Sequence, residues 1–113
     1  MTDCLFCSIV KKEIPSKLVF ENDLVLAFRD INPQAPHHIL IIPKKHIAGL
    51  LETNSEDNLI LAEMYQTAKS LIREFGIENS SRLVLNQGRQ AGQSVMHLHM
   101  HLLGGRDLTW PPG

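Results

Sequence analysis

Three histidines recur at every second position in His97-Leu98-His99-Met100-His101-Leu102-Leu103. Extended backbone sends successive side chains to opposite faces. An extended segment here therefore puts His97, His99 and His101 on one face and Leu98, Met100 and Leu102 on the other. Neighbouring imidazoles then start roughly 6.5 Å apart, from about 3.3 Å of rise per residue. Such a row has three readings. It is a solvated polar face, although Thr, Lys, Glu and Ser are the usual occupants of one. It is a metal site, in which His-x-His supplies two ligands and a third comes from elsewhere. Or it works on a phosphate, one imidazole attacking while its neighbours set its tautomer and supply protons. The surroundings favour phosphate. Residues 88–94 form a loop with Gly88 and Gly92 that can turn backbone N–H groups and the Ser94 hydroxyl toward an anion. A hydrolytic zinc site ordinarily calls on a carboxylate as base or as partner to a ligand, and after Glu78 the only acid is Asp107.

The elements that must position these groups are legible in outline. A short helix is expected over residues 5–12, with Leu5, Phe6, Ile9 and Val10 apolar, Asp3 as its cap and Ile14-Pro15 as its stop. Two β-like runs, 18–21 and 24–29, flank the polar pair Asn22-Asp23 and read as a hairpin. Residues 30–36, with two prolines and an Asn, read as a loop. Residues 38–42 read as a strand buried on both faces and ended by Pro43. Thr53-Asn54-Ser55-Glu56 has the capping-box pattern. Apolar side chains then fall at Leu61, Met64, Tyr65, Ala68, Leu71, Ile72 and Phe75, one face of a helix closed by Gly76. Further strands are expected over 82–86 and 95–103, the latter ended by Gly104-Gly105. Strands grouped around one long helix predict an α+β fold with an antiparallel sheet of five strands, as a single domain over residues 1–113.

Composition excludes several classes. At 43% apolar residues the chain is no disordered segment. Eleven basic against twelve acidic residues give a formal charge of −1, which is no electrostatic footprint for nucleic acid or an anionic membrane. The longest apolar run has five residues (Leu24 to Phe28), far short of the about 20 that span a bilayer. The first residues do not read as a signal peptide. Only two cysteines are present, Cys4 and Cys7, too few for a secreted disulfide scaffold, so a reducing cytoplasm is the expected setting.

The histidine segment matches the His-φ-His-φ-His-φ-φ signature of the histidine triad family, and the chain resembles that family's nucleotide-binding (Hint) branch over essentially its whole length. Lys12-Glu13-Ile14-Pro15, Phe28-Arg29-Asp30-Ile31, Pro33-Gln34-Ala35-Pro36, Ile42-Pro43-Lys44-Lys45-His46, Gly92-Gln93-Ser94-Val95 and Trp110-Pro111-Pro112-Gly113 carry the resemblance in order. It implies a homodimer whose two sheets join across a two-fold axis. The implied activity is hydrolysis of purine nucleoside phosphoramidates and acyl-adenylates to AMP or GMP, with no metal needed for the chemistry.

Carried over residue by residue, the resemblance makes His99 the nucleophile, His101 a phosphate contact and proton donor, and His38 a support for that proton network. Asn86, Gly92, Gln93, Ser94 and the Val95 N–H would hold phosphate. Asp30 would accept from the ribose hydroxyls. Phe6, Ile9, Phe28, Ile31 and Leu40 would form a slot for the base, and Trp110 would reach the partner subunit's site. On their own, Asp30 reads equally as the start of a turn, Ser94 as a loop cap, Trp110 as a dimer anchor, and Phe6, Ile9, Phe28 and Leu40 as core. Two readings compete with the enzyme, a nucleotide-binding regulatory module with incidental turnover and a dinucleoside polyphosphate hydrolase. The intact set His38, Ser94, His99 and His101 favours a working enzyme, and the Trp110-Pro111-Pro112-Gly113 ending favours the Hint branch.

Cys4-x-x-Cys7 reads as a redox pair, as two buried thiols, or as half of a structural zinc site. The resemblance favours zinc, since many bacterial members share this pair with two distant histidines, here His46 and His97. His97 would then serve the metal while His99 and His101 serve the phosphate. His37 has no assigned role, and strand alternation points it away from His38.

Overall fold

Two adjacent strands with few polar side chains run through the middle of the molecule. In the computed structural model, which describes residues 4–113, β2 (Val25–Arg29) and β3 (His37–Pro43) pair antiparallel, Val25 opposite Pro43 and Arg29 opposite Ile39. β1 (Leu18–Glu21) flanks β2, while β5 (Met100–Gly104) and β4 (Ser81–Val84) extend the sheet beyond β3. The order is β1-β2-β3-β5-β4, with every neighbour antiparallel. With its helices outside the sheet this is the expected α+β architecture.

Strands that are apolar on both faces need a layer on each. The long helix α2 (Asn58–Glu74) covers one face, where Met64, Ala68 and Leu71 meet Val25, Ala27, Ile39, Ile41, Leu98, Met100 and Leu102. The short helix α1 (Leu5–Val10) covers part of the other, where Phe6 and Ile9 meet Leu26, Phe28, Leu40 and Ile42. Because α1 is only six residues long, it leaves a hollow beside it on that face.

Several boundaries differ from expectation, each for a local reason. Asp3 lies outside the described residues, and Cys4 is the N-cap of α1, its Sγ accepting from the Cys7 N–H at 3.4 Å. That helix ends at Val10, two residues early, because Lys12 turns to φ +64° ahead of Ile14-Pro15. The capping box belongs to Asn54 and Asp57, not to Thr53 and Glu56. Thr53 Oγ1 donates back to the Leu50 carbonyl at 2.7 Å, so Asn54 takes over the cap. Tyr65 is exposed and Thr67 buried on α2. Gly76 closes that helix at φ +65°, the left-handed conformation a C′ glycine supplies.

The largest difference is at β5, which starts at Met100 and not at residue 95. Pairing runs from His37–Gly104 to Ile41–Met100 on one side and ends at Val84–His101 on the other. The next hydrogen-bonded pair, two residues on, would set Leu98 opposite Pro43, which has no N–H to donate. Residues 95–99 are held instead by isolated bonds, such as Leu98 N–H to the Ile47 carbonyl at 2.6 Å.

Candidate active site

The alternation of the histidine segment survives the loss of strand pairing. Leu98, Met100 and Leu102 are buried under α2, while the imidazoles of His97 and His99 lie on the other face against Phe6. Their neighbours split the three histidines into two groups.

Backbone partners assign the tautomers. His99 Nδ1 lies 2.8 Å from the carbonyl oxygen of His97. A carbonyl only accepts, so Nδ1 carries the proton and Nε2 is left with a bare lone pair. The Gln34 backbone N–H donates to His38 Nδ1 at 3.0 Å, so neutral His38 is protonated on Nε2. That nitrogen is 2.9 Å from His101 Nδ1 and donates to it, which places the proton of His101 on Nε2. The result is one bare imidazole nitrogen and one imidazole N–H on two rings whose centroids are 5.1 Å apart, both lining the same hollow. Asp30, His38 and His101 also lie close enough to share a metal ion. The Gln34 N–H argues against that use, because metal on His38 Nε2 would move the ring proton to Nδ1, against another donor.

Burial keeps this pair neutral. Desolvation, reinforced by His99 and His38, pulls His101 down to about 4 from the ordinary 6.5, with Asp30 opposing. His38 is lowered as well, by desolvation against the pull of Asp30. A depressed histidine binds its proton more readily unfolded than folded. Stability is therefore full above about pH 6.5 and falls as pH drops toward 4. Denaturant midpoints at about pH 7 and about pH 5 should show this loss, and His101→Asn should reduce it. Equal midpoints in the parent protein would contradict the assignment.

The hollow has a volume of about 320 Å³ and is lined by Phe6, Ile9, Phe28, Leu40, Asp30, Ser94, Val95, His99 and His101, among others. Phe6, Ile9, Phe28 and Leu40 are buried core and also line the hollow. Ile31 is 99% exposed and forms the rim. Asp30 likewise does two things. Its Oδ1 accepts from the Asn32 N–H at 2.8 Å, closing a turn. Its Oδ2 stands 3.5 Å from His38 Nε2. The sequence reading did not find Leu5, Ile14 and Pro15 in this wall. Ile14-Pro15 read as a helix stop and as part of a family segment, neither of which placed it at the slot.

The loop before the triad is built from within. Gly88 and Gly92 adopt φ +94° and +97°. The buried Gln93 side chain accepts from Gly88 N–H at 2.9 Å and donates to the carbonyls of Ala48 at 2.8 Å and Val95 at 3.2 Å. Gln93 thus shapes the loop, and Ser94 and Val95 reach the hollow. A side chain at Gly92 would stand 3.7 Å from Asn86 Nδ2, which puts Asn86 beside the loop. Trp110 is 81% exposed, outside this hollow.

His97 faces elsewhere. Its Nε2 donates to the Pro43 carbonyl at 2.8 Å, leaving Nδ1 bare toward Cys4 Sγ at 3.3 Å, Cys7 Sγ at 3.6 Å and His46 Nδ1 at 3.2 Å. Cys7 Sγ and His46 Nδ1 are 3.2 Å apart. Tetrahedral zinc, with bonds of about 2.0 Å to nitrogen and 2.3 Å to sulfur, separates its ligand atoms by roughly 3.3–3.8 Å. The donor set and spacing therefore fit zinc. The carbonyl anchor on Nε2 is what orients a metal-binding imidazole, and burial lowers His97's proton affinity toward the neutral form a ligand needs. Next to His46, Lys45 is held 2.6 Å from the buried Asp57 carboxylate, which ties down the turn that carries His46. His37 stacks on Phe75 of the helix side, centroids 4.5 Å apart, the face opposite His38.

Comparison with known proteins gives the family and the fold. The family model for the HIT domain matches residues 11–108. The chain is 48% identical to the 14 kDa zinc-binding protein of Brassica juncea, covering 98% of this chain and all of that protein. It is 49% identical to adenylylsulfatase HINT1 of Arabidopsis thaliana, covering 96% of this chain and 76% of that protein. A HIT family hydrolase from Legionella pneumophila superposes with a TM-score of 0.95 at 54% identity, covering 98% of this chain and all of its own. Among the described residues no helix is long and apolar enough to cross a membrane.

Proposed function

The chain belongs to the HIT domain family, and on that premise we propose that it hydrolyses purine nucleoside phosphoramidates and acyl-adenylates to the nucleoside monophosphate through a covalent nucleotidyl-His99 intermediate. The observation that carries this reading is the bond from His99 Nδ1 to the His97 carbonyl, which leaves Nε2 bare at the hollow. The name of the Arabidopsis relative, an adenylylsulfatase, fits chemistry on a group linked to AMP.

In the first step His99 Nε2 bonds to phosphorus and the P–N bond breaks. The bound phosphate anion supplies the counter-charge that draws a proton onto the His38–His101 pair, otherwise kept neutral by burial. His101 Nε2–H hands that proton to the departing amine, which is a poor leaving group without it. A positioned general acid contributes about 10²–10⁴-fold. In the second step water attacks phosphorus, the P–Nε2 bond breaks, and the water's proton returns to the pair. Ser94, Asn86 and the Val95 N–H hold the phosphate, within the loop shaped by Gly92 and Gln93. The base lies between Phe6, Ile9, Phe28, Ile31 and Leu40.

Asp30 takes the ribose hydroxyls. Asp30→Ala should weaken AMP binding by roughly 1.5–3 kcal/mol, the range for hydrogen bonds to a charged group. Titration calorimetry with AMP and its dideoxyribose analogue checks this, and equal affinity of the parent protein for both would count against the role.

Cys4, Cys7, His46 and His97 would hold zinc, which stabilises the fold around them. The protein acts as a cytoplasmic homodimer in this reading. Edge strand β4 with its exposed Leu83, and the exposed Leu59 and Tyr65 of α2, offer surface for the partner. The exposed Trp110 then belongs to the partner subunit's site. Release of AMP from an AMP–lysine phosphoramidate, with EDTA present, tests the activity. Folded protein that binds AMP and releases none would favour a binding module. Faster cleavage of a dinucleoside polyphosphate would favour the sister branch.

A further inference from the structure

We propose that His38 and His101 form a two-ended proton wire: the proton that the leaving amine receives enters from a second hollow beside His38, and the Gln34 N–H is the gate that must open to admit it. The inference rests on the hydrolase reading above.

The two rings face different spaces. His101 lines the nucleotide hollow and His38 does not. His38 instead lines a neighbouring hollow of about 260 Å³, walled also by Lys17, Arg29, Asp30, Ile31, Pro33 and Pro36. Lys17, Ile31, Pro33 and Pro36 are exposed, so water reaches this space. The 2.9 Å bond from His38 Nε2–H to His101 Nδ1 joins one hollow to the other.

At rest the wire has no vacant lone pair. His101 Nδ1 accepts from His38, and His38 Nδ1 accepts from the Gln34 N–H at 3.0 Å. With an extra proton on either ring, His38 Nδ1 carries a hydrogen, because a charged His101 needs His38 Nε2 as its acceptor. Two N–H groups then meet across the Gln34 contact, so the loop must turn its N–H away. Two bonds hold it shut meanwhile. Arg106 Nε donates to the Gln34 carbonyl at 2.9 Å, and Gln34 Nε2 donates to the Asn32 carbonyl at 3.1 Å. Burial works in the same direction on both rings, and His99 adds to it at His101. Asp30, 3.5 Å from His38 Nε2, opposes. Of the two cations in the second wall, Arg29 holds its guanidinium over Phe75 at 5.2 Å and Lys17 is exposed.

Protons balance along this wire. A solvent proton binds His38 Nδ1, the His38 Nε2 proton passes to His101 Nδ1, and the His101 Nε2 proton passes to the amine as the P–N bond breaks. Both rings are then neutral, each with its hydrogen on Nδ1. In the second step the attacking water gives a proton to His101 Nε2, and the His101 Nδ1 proton returns to His38 Nε2. The surplus proton leaves from His38 Nδ1 as the Gln34 N–H swings back. No bulk water has to enter the nucleotide hollow to supply the acid.

The test reads the Gln34–His38 bond itself. In ¹⁵N-labelled protein an N–H···N bond gives a spin coupling between the Gln34 amide nitrogen and His38 Nδ1. In mildly acidic buffer without ligand, this coupling should be present and His38 Nδ1 bare. With AMP, whose phosphate stands for that of the substrate, the coupling should vanish and both His38 nitrogens should carry hydrogen. A coupling that survives saturation with AMP overturns the proposal. A kinetic arm replaces the Gln34 amide by an ester, which deletes the N–H and keeps the side chain. That N–H favours the neutral ring, so its loss should raise the pair's proton affinity about tenfold. The alkaline limb of kcat on AMP–lysine should then move up by about one pH unit, with KM within about twofold. A kcat lowered at every pH with the limb in place would mark a structural role only and overturn the gate. A parent protein without turnover would instead overturn the hydrolase reading, while the coupling measurement needs only bound AMP.

Discussion

His99→Ala is expected to abolish turnover, by on the order of 10⁴-fold or more, while AMP still binds with near-parent affinity. The size of the effect follows from the tautomers. His99 presents a bare Nε2, and His101 presents an N–H and cannot attack. His97 directs its bare nitrogen at the two cysteines and His46. No other imidazole in the triad can take over. Binding survives because the wall of Phe6, Ile9, Phe28 and Leu40 and the Asp30 carboxylate remain. Turnover assays with titration calorimetry on the same preparation check both halves. Retained turnover would remove His99 as the nucleophile, and lost AMP binding would make it a binding residue.

Loss of the metal is expected to have the second largest effect. The protein should purify with about one zinc per chain by elemental analysis, and Cys7→Ala should lose it. Structural zinc in small domains binds with apparent free energies of about 10–16 kcal/mol. If only a few kcal/mol of that appears as net stability, the melting temperature falls by on the order of 10 °C, since 1 kcal/mol shifts a domain of this size by about 4–8 °C. The slot should suffer as well. Phe6 lies between Cys4 and Cys7, and its ring meets His99 edge-on at 5.1 Å and Phe28 at 5.6 Å. A loosened α1 takes that wall with it, so AMP should bind more weakly to Cys7→Ala. Thermal scans with and without AMP measure both effects. A metal-free preparation of equal stability would refute the zinc assignment.

What the sequence made legible was the alternation and the apolar runs. The five strands, the long helix and the split of the histidine segment into Leu and His faces all follow from those patterns, and the structure has them. Boundaries depended on features one residue wide. Pro43 withholds a single N–H and so shortens β5 to Met100–Gly104. Thr53 closes the preceding turn and so passes the cap to Asn54. The site was legible where its residues are chemically unusual, as in the histidine row and the cysteine pair. It was not legible where backbone does the work. The Gln34 N–H, the His97 carbonyl and the Pro43 carbonyl assign the tautomers of His38, His99 and His97, and main-chain groups leave no mark on residue type. Nor did anything in the sequence tie Arg106 to Gln34, 72 residues away.

The central claim is a covalent nucleotidyl-His99 intermediate, and the stereochemical course at phosphorus tests it most directly. A phosphorothioate analogue of the phosphoramidate, chiral at phosphorus, is hydrolysed in ¹⁸O-labelled water and the configuration of the product determined. Two in-line displacements, first by His99 and then by water, predict net retention, whether or not the intermediate accumulates. Net inversion would mean that water attacks the substrate directly, and His99 would then have no covalent role.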